Sequence, residues 1–167
     1  MDAVVRGAGP AAACVACFHC GDPVDADAAV REAFDGETRA FCCGGCAAAA
    51  RWIRDAKLGD YYRLRDAAGS RVEAAEVDYA AWDREDVLAG HASPCAGGRE
   101  IVLLTDGMHC AACAWLIDRA LTREDGVQEV AANAITGRIR IVWDAARTPL
   151  STLLSRLEAL GYRPSLA

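Results

Sequence analysis

Positive charge is scarce in this 167-residue chain. Its 18 Lys and Arg stand against 24 Asp and Glu, which gives a formal net charge of −6 and a pI of about 5.0. Sequence-independent nucleic-acid binding needs a basic surface, so neither DNA nor RNA is an expected partner. Long apolar runs are missing as well. No stretch reaches the roughly 18 to 20 uninterrupted apolar residues of a membrane span, and Met1-Asp2-Ala3-Val4-Val5-Arg6 does not read as a secretory signal. The expectation is a cytoplasmic chain that does not insert into a membrane by itself. Paired carboxylates, a phosphate-cradling loop and a Ser/His/Asp grouping are also absent, so catalysis by this chain is not expected. Aromatic residues make up only 7% of it, and much of its 53% hydrophobic content is alanine. Alanine buries little area, so a small module built from it has a thin core and calls for a metal staple.

Cysteine, by contrast, is abundant: nine residues, an odd number. Without an export signal these thiols are expected to stay reduced, and clustered reduced cysteines point to metal rather than disulfides. Six fall between Cys14 and Cys46, two form Cys110-x-x-Cys113, and Cys95 stands alone.

Composition and periodicity divide the chain into four parts. Residues 1–13 are rich in Gly and Ala and read as a mobile tail. Residues 14–58 form a Cys-rich metal-binding module ending in an alanine-rich helix from Ala47 to Lys57, with Trp52, Ile53 and Ala56 at helical spacing and Gly59 as a stop. Residues 59–97 read as a linker with apolar islands at Tyr61-Tyr62 and Tyr79 to Trp82, expected to pack on the first module. Within it Asp83 to Asp86 reads as a solvated charge run, and His91 and Cys95 as solvent-facing residues of a turn-rich boundary.

Residues 98–167 carry the clearest pattern. Ile101, Leu103 and Thr105 alternate with Val102 and Leu104, as in a strand. Cys113, Leu116, Ile117, Ala120 and Leu121 then make one helical stripe. A hairpin spans Val127 to Ala134 and Arg138 to Trp143 around Thr136-Gly137, with Ile139, Ile141 and Trp143 on one face. Thr148-Pro149 reads as an N-cap and first helical proline, followed by the stripe Leu150, Leu153, Leu154 and Leu157. With a last strand at Arg163 to Ala167, the order is β-α-β-β-α-β, a ferredoxin-like sandwich; the fold class is α+β.

Two thiolates three positions apart, where a strand gives way to a helix N-terminus, can converge on one ion, and the free N–H groups there favour deprotonated sulfur. Cys110 and Cys113 form such a pair. Soft sulfur selects Cu(I), and a two-ligand site suits it better than Zn(II), which wants four ligands or three plus water. The adjacent His109 reads as an exposed loop residue. In the first module, Cys17-x-x-Cys20, with Gly21 next to it, and Cys42-x-x-x-Cys46, with twenty-one residues between Cys20 and Cys42, offer four thiolates, enough to close a tetrahedral site for Zn(II) or Cu(I). Cys43 is an alternative ligand through Cys43-x-x-Cys46, and Cys14 reads as a tail thiol.

Gly107-Met108-His109-Cys110-Ala111-Ala112-Cys113 resembles the Gly-Met-x-Cys-x-x-Cys loop of heavy-metal-associated domains, and the likeness runs on to Gly161-Tyr162. The resemblance implies Cu(I) on Cys110 and Cys113, with Met108 packed beneath; His109 stands where the commonest version has threonine. Phe41-Cys42-Cys43-Gly44-Gly45-Cys46 resembles the second half of small treble-clef-like modules of the TRASH and YHS type, which implies Cys42 and Cys46 as ligands and Cys43 as a spare. Both modules in this order, joined by Gly59-Asp60-Tyr61-Tyr62-Arg63-Leu64-Arg65, are similar to the N-terminal cytosolic region of copper-transporting P-type ATPases that serve haem-copper oxidase assembly. The partners so implied are a copper donor or acceptor protein and the remainder of such a pump. The Asp-Lys-Thr-Gly-Thr phosphorylation motif does not occur in this sequence. Competing functions for the same thiols are a thiol-disulfide oxidoreductase and a metal-responsive regulator.

Overall fold

Short strands joined by turns open the first module, because its local sequence holds chain-reversing residues close to one another. In the computed structural model, which describes residues 13–72 and 77–167, β1 (Cys14–Ala16) pairs antiparallel with β2 (Pro23–Asp25). The expected tail lies, except for residue 13, outside the described residues. Between β1 and β2 the chain reverses as Gly21 N–H donates to Cys17 O and Cys17 N–H to Asp22 O. Gly21 sits at φ +79°, and a Cβ there would meet Ala68 Cβ at 2.7 Å, so the turn accepts only glycine. Next comes a hairpin of β3 (Val30–Phe34) and β4 (Glu37–Phe41). Its two-residue loop, Asp35-Gly36, has positive φ at both positions, the turn whose twist suits paired strands. Helix α1 (Gly44–Asp55) follows, starting three residues earlier than expected; it is stopped by Lys57 at φ +58° rather than by Gly59, which precedes α2 (Asp60–Leu64). The knuckle formed by the β1–β2 turn at residues 17–22, the hairpin and the helix enclose a small core of Phe34, Phe41, Ala47, Ala49, Ala50 and Val72, completed by the sulfurs of Cys17, Cys20 and Cys46.

The second module is a sheet with two helices. Strands β6 (Gly98–Asp106), β7 (Val127–Asn133) and β8 (Arg138–Trp143) run β7-β8-β6. The far edge of β6 is shared by β5 (Ala92–Cys95) on its first half and β9 (Arg163–Leu166) on its second. Helices α4 (Ala111–Leu121) and α5 (Leu150–Ala159) bury the expected stripes: Leu116, Ile117, Ala120, Leu121, Leu150, Leu153, Leu154 and Leu157. They pack with Ile101, Leu103, Ile139, Ile141 and Trp143. Leaving β5 aside, this is the β-α-β-β-α-β order read from the periodicity.

Residues 59–97 correct two readings. From this stretch Tyr79 and Leu88 join the second core, with Trp82 packed against it. A 3-10 turn (Ala80–Asp83) and α3 (Glu85–His91) lead into β5, so the presumed boundary turn is a strand; His91 is exposed and Cys95 half-buried. Nor is Asp83 merely solvated, since its Oδ1 accepts the Ser151 N–H at 2.8 Å and caps α5 from 68 residues upstream. The local cap expected at Thr148 is absent: Pro149 occupies the N-cap position, and Thr148 Oγ1 donates to Asp125 O instead.

The modules meet without a gap. Ile53, Leu58 and Tyr61 are buried among residues of the second core, and the Arg156 guanidinium, ion-paired with Glu124, lies 4.9 Å over the Trp52 ring.

Candidate metal centres

The knuckle carries Cys17 and Cys20, while the end of β4 and the start of α1 carry Cys42 and Cys46. Folding brings the four sulfurs within 4.8 Å of one another. Cys20 Sγ is 3.6 Å and Cys46 Sγ 3.7 Å from Cys42 Sγ. Sulfurs at the corners of a tetrahedron with 2.3 Å metal bonds lie about 3.8 Å apart, so the set can close around one ion. Cys17, Cys20 and Cys46 are buried and Cys42 half-buried. Cys43, the N-cap residue of α1, stands beside this group, not in it, and donates its thiol to Val72 O at 3.5 Å. Val72 N–H in turn donates to Cys46 Sγ at 3.5 Å.

The thiols are not equivalent. Burial opposes ionisation at Cys17, yet the backbone N–H groups of Cys20, Cys42 and His19 outweigh it and hold that thiol below its ordinary value. Burial pushes Cys42 and Cys46 well above theirs, with a push at Cys42 from Cys20 and at Cys46 from the charges of Cys20 and Cys17. A cation among them would reverse that balance, so binding must release protons.

Between the knuckle cysteines stands His19, a residue for which the sequence reading offers no role. The residue is 1% exposed, its Nδ1 is 2.9 Å from Tyr62 Oη, and its Nε2 has no hydrogen-bond partner among the described residues. Burial, then the charge of Arg65, lowers its pKa to about 4, so the imidazole is neutral. Arg65 reaches back to the carbonyls of Phe18 and His19 and secures the knuckle from behind. The Cys-x-His-Cys spacing could have drawn attention to His19, but nothing in it discloses the tyrosine partner.

Cys110 and Cys113 lie in the β6–α4 loop. Gly107 turns it at φ +90°, Met108 is buried beneath, His109 is exposed, and Cys110 is the N-cap residue of α4. The two sulfurs are 3.5 Å apart. Burial opposes the Cys110 thiolate, but the N–H groups of Cys113 and Asp66, the Cys113 thiol and the Ala112 N–H prevail and lower its pKa. Cys113 faces the buried Tyr162, whose hydroxyl burial pushes far above its ordinary value. His109, Ala111, Trp115 and Ile135 border a shallow groove beside the pair, with Ile135 almost fully exposed.

One segment touches both centres. Residues 65–72 form a strap whose Asp66 N–H faces Cys110, whose Ser70 Oγ donates to Gly107 O at 3.4 Å, and whose Val72 bonds Cys43 and Cys46.

Comparison with known proteins matches residues 16–94 to the family model of a putative metal-binding domain of cation transport ATPase, and residues 102–163 to that of the heavy-metal-associated domain. A copper-transporting ATPase of Helicobacter felis is 39% identical over 62 residues, which are 37% of this chain and 8% of that protein. A copper-exporting P-type ATPase of Bacillus subtilis is 36% identical over 64 residues, 38% of this chain and 8% of its own length. Another from Staphylococcus aureus is 29% identical over 126 residues, 72% of this chain and 16% of that protein. The chain thus spans less than a fifth of the length of these relatives. Among solved structures, the CopZ metallochaperone is 26% identical, aligned over 40% of this chain and 98% of its own with a TM-score of 0.39. The water-soluble region of the P-type ATPase CopA from Bacillus subtilis is 35% identical over 39% of this chain and 43% of its own, TM-score 0.38. No helix among the described residues is long and apolar enough to cross a membrane. Along the chain, a match to a putative metal-binding domain of cation transport ATPase is thus followed by a match to a heavy-metal-associated domain, and the relatives compared are copper-transporting and copper-exporting ATPases.

Proposed function

We propose that this chain binds Cu(I) as cargo on Cys110 and Cys113 and passes it on by thiolate exchange, as the N-terminal cytosolic region of a copper-transporting P-type ATPase. The observation that carries the reading is the pair of sulfurs 3.5 Å apart at the N-terminus of α4, with backbone N–H groups favouring the thiolate of Cys110. Two soft donors suffice for a monovalent ion, and a third sulfur from a donor or acceptor protein can add before one of the first two leaves. The partners are such a copper protein and the rest of the pump, which would supply ATP hydrolysis and the membrane path. The first module holds a metal of its own through Cys17, Cys20, Cys42 and Cys46, either Zn(II) or Cu(I).

The test is a competition titration of the full chain against a Cu(I) chelator under anaerobic conditions. Cys110→Ser and Cys113→Ser should each remove one tightly held Cu(I), with affinity falling at least a hundredfold, while His109→Ala should change it less than tenfold. Near-normal binding in either serine variant would sink the assignment. The same sulfur separation also admits a disulfide, so an insulin-reduction assay is its companion: turnover there would favour thiol-disulfide oxidoreductase chemistry.

A further inference from the structure

The four-sulfur set of the first module leaves a fifth sulfur unused at its border. Cys43 Sγ lies 3.8 Å from Cys42 Sγ, and its thiol also faces that of Cys46. It nevertheless stands outside the set whose sulfurs are all within 4.8 Å of one another. Cys42 and Cys46, 3.7 Å apart, therefore form an edge that belongs to the four-sulfur set with Cys17 and Cys20 and that Cys43, outside that set, also adjoins. A thiolate keeps lone pairs after binding one soft ion and can bridge to a second.

We propose, resting on the four-thiolate reading above, that the first module is a five-sulfur site for two Cu(I) ions sharing the Cys42–Cys46 edge. Cys17 and Cys20 complete the coordination of one ion, and Cys43 alone completes a three-sulfur position for the other. The second position is on the open side, since Cys42 and Cys43 are half-buried while Cys17, Cys20 and Cys46 are buried. Five thiolates around two monovalent ions leave three negative charges, and the exposed Arg71 guanidinium, which faces Cys42 and Cys43, offsets part of them. Loading is ligand exchange without electron transfer: each copper arrives and stays as Cu(I), S–H bonds break as Cu–S bonds form, and the protons pass to solvent. Zn(II), which wants four ligands, finds them only in the first position. The capacity of the module therefore depends on the metal.

The experiment uses the full chain carrying Cys110→Ser and Cys113→Ser, so that only the first module binds. Anaerobic titration with Cu(I) delivered from a chelator should reach two ions per chain and show copper–copper scattering by X-ray absorption, whereas Zn(II) should stop at one. Adding Cys43→Ser, or Cys43→Ala, should lower Cu(I) to one and abolish that scattering while leaving Zn(II) at one, which also reports that the module still folds. Saturation of the parent at one Cu(I), or retention of two in the Cys43 variants, overturns the proposal. Failure of the underlying four-thiolate reading looks different and overturns both: no Zn(II) binds at all, or Zn(II) survives Cys17→Ser.

Discussion

Gly44 and Gly45 stand side by side in the first turn of α1, yet their surroundings differ. A Cβ on Gly44 would meet nothing within 4 Å, whereas one on Gly45 would lie 2.7 Å from the Val72 carbonyl oxygen. Gly44→Ala should therefore stabilise the chain by up to about 1 kcal/mol through helix propensity. Gly45→Ala should cost about 1–3 kcal/mol as the strap is forced off the sulfur cluster. Urea melts of the two Zn(II)-loaded variants read the contrast; equal effects would mean that the strap is not held there. His19 supports a prediction in pH. Its pKa falls from 6.5 to about 4 on folding, so between these values the unfolded chain binds the proton more readily. The contribution is whole above about pH 6.5 and drains away toward pH 4, by roughly 3 kcal/mol in all. Replacing His19 with Asn should flatten this part of the stability profile between pH 5 and 7, measured at equal metal loading, whatever the variant costs at neutral pH.

Among the elements, α5 shows how local and remote causes combine. Its stripe of Leu150, Leu153, Leu154 and Leu157 is legible because helical periodicity is a property of neighbours in sequence. Its cap is not, because Asp83 arrives from 68 residues away and no local pattern records a tertiary hydrogen bond. Asp83→Ala should lower stability by about 1 kcal/mol, and Asp83→Asn, which can still accept the Ser151 N–H, by less; thermal melts distinguish them. The β3–β4 hairpin is hard to read from the sequence for another reason. Asp35-Gly36 was there to be read, but Val30-Arg31-Glu32-Ala33-Phe34 alternates weakly and buries only Phe34 fully, so no apolar run drew attention to it. The Cys-x-x-Cys loop was plain because its spacing and helix-start position are local facts. We also propose that the second domain begins upstream of residue 98, since β5 covers an edge of β6 and Leu88 and Tyr79 enter its core. A fragment of residues 77–167 should melt higher than one of 98–167; equal midpoints would restore the shorter boundary.

At the scale of the whole molecule the two modules should answer metal removal differently. The first has thiols among its fully buried core residues, so stripping its ion leaves a thin core with repelling or protonated sulfurs. The second encloses a larger, continuous apolar core. Hydrogen exchange after chelation should rise at β1 to β4 while the amides of β6 and β8 stay protected; protection lost equally in both would contradict this. The strap from residue 65 to residue 72 adds a consequence beyond packing. Since it touches Cys43 and Cys46 at one end and faces Cys110 near the other, we propose that the strap couples the occupancies of the two sulfur sites, like a balance with one beam. Filling the first site should change the Cu(I) affinity of the Cys110 and Cys113 pair by about fivefold or more, and thermodynamic reciprocity demands the same factor in the opposite direction. Measured with Zn(II) in the first site and again without it, a ratio of one would show that the beam does not tilt.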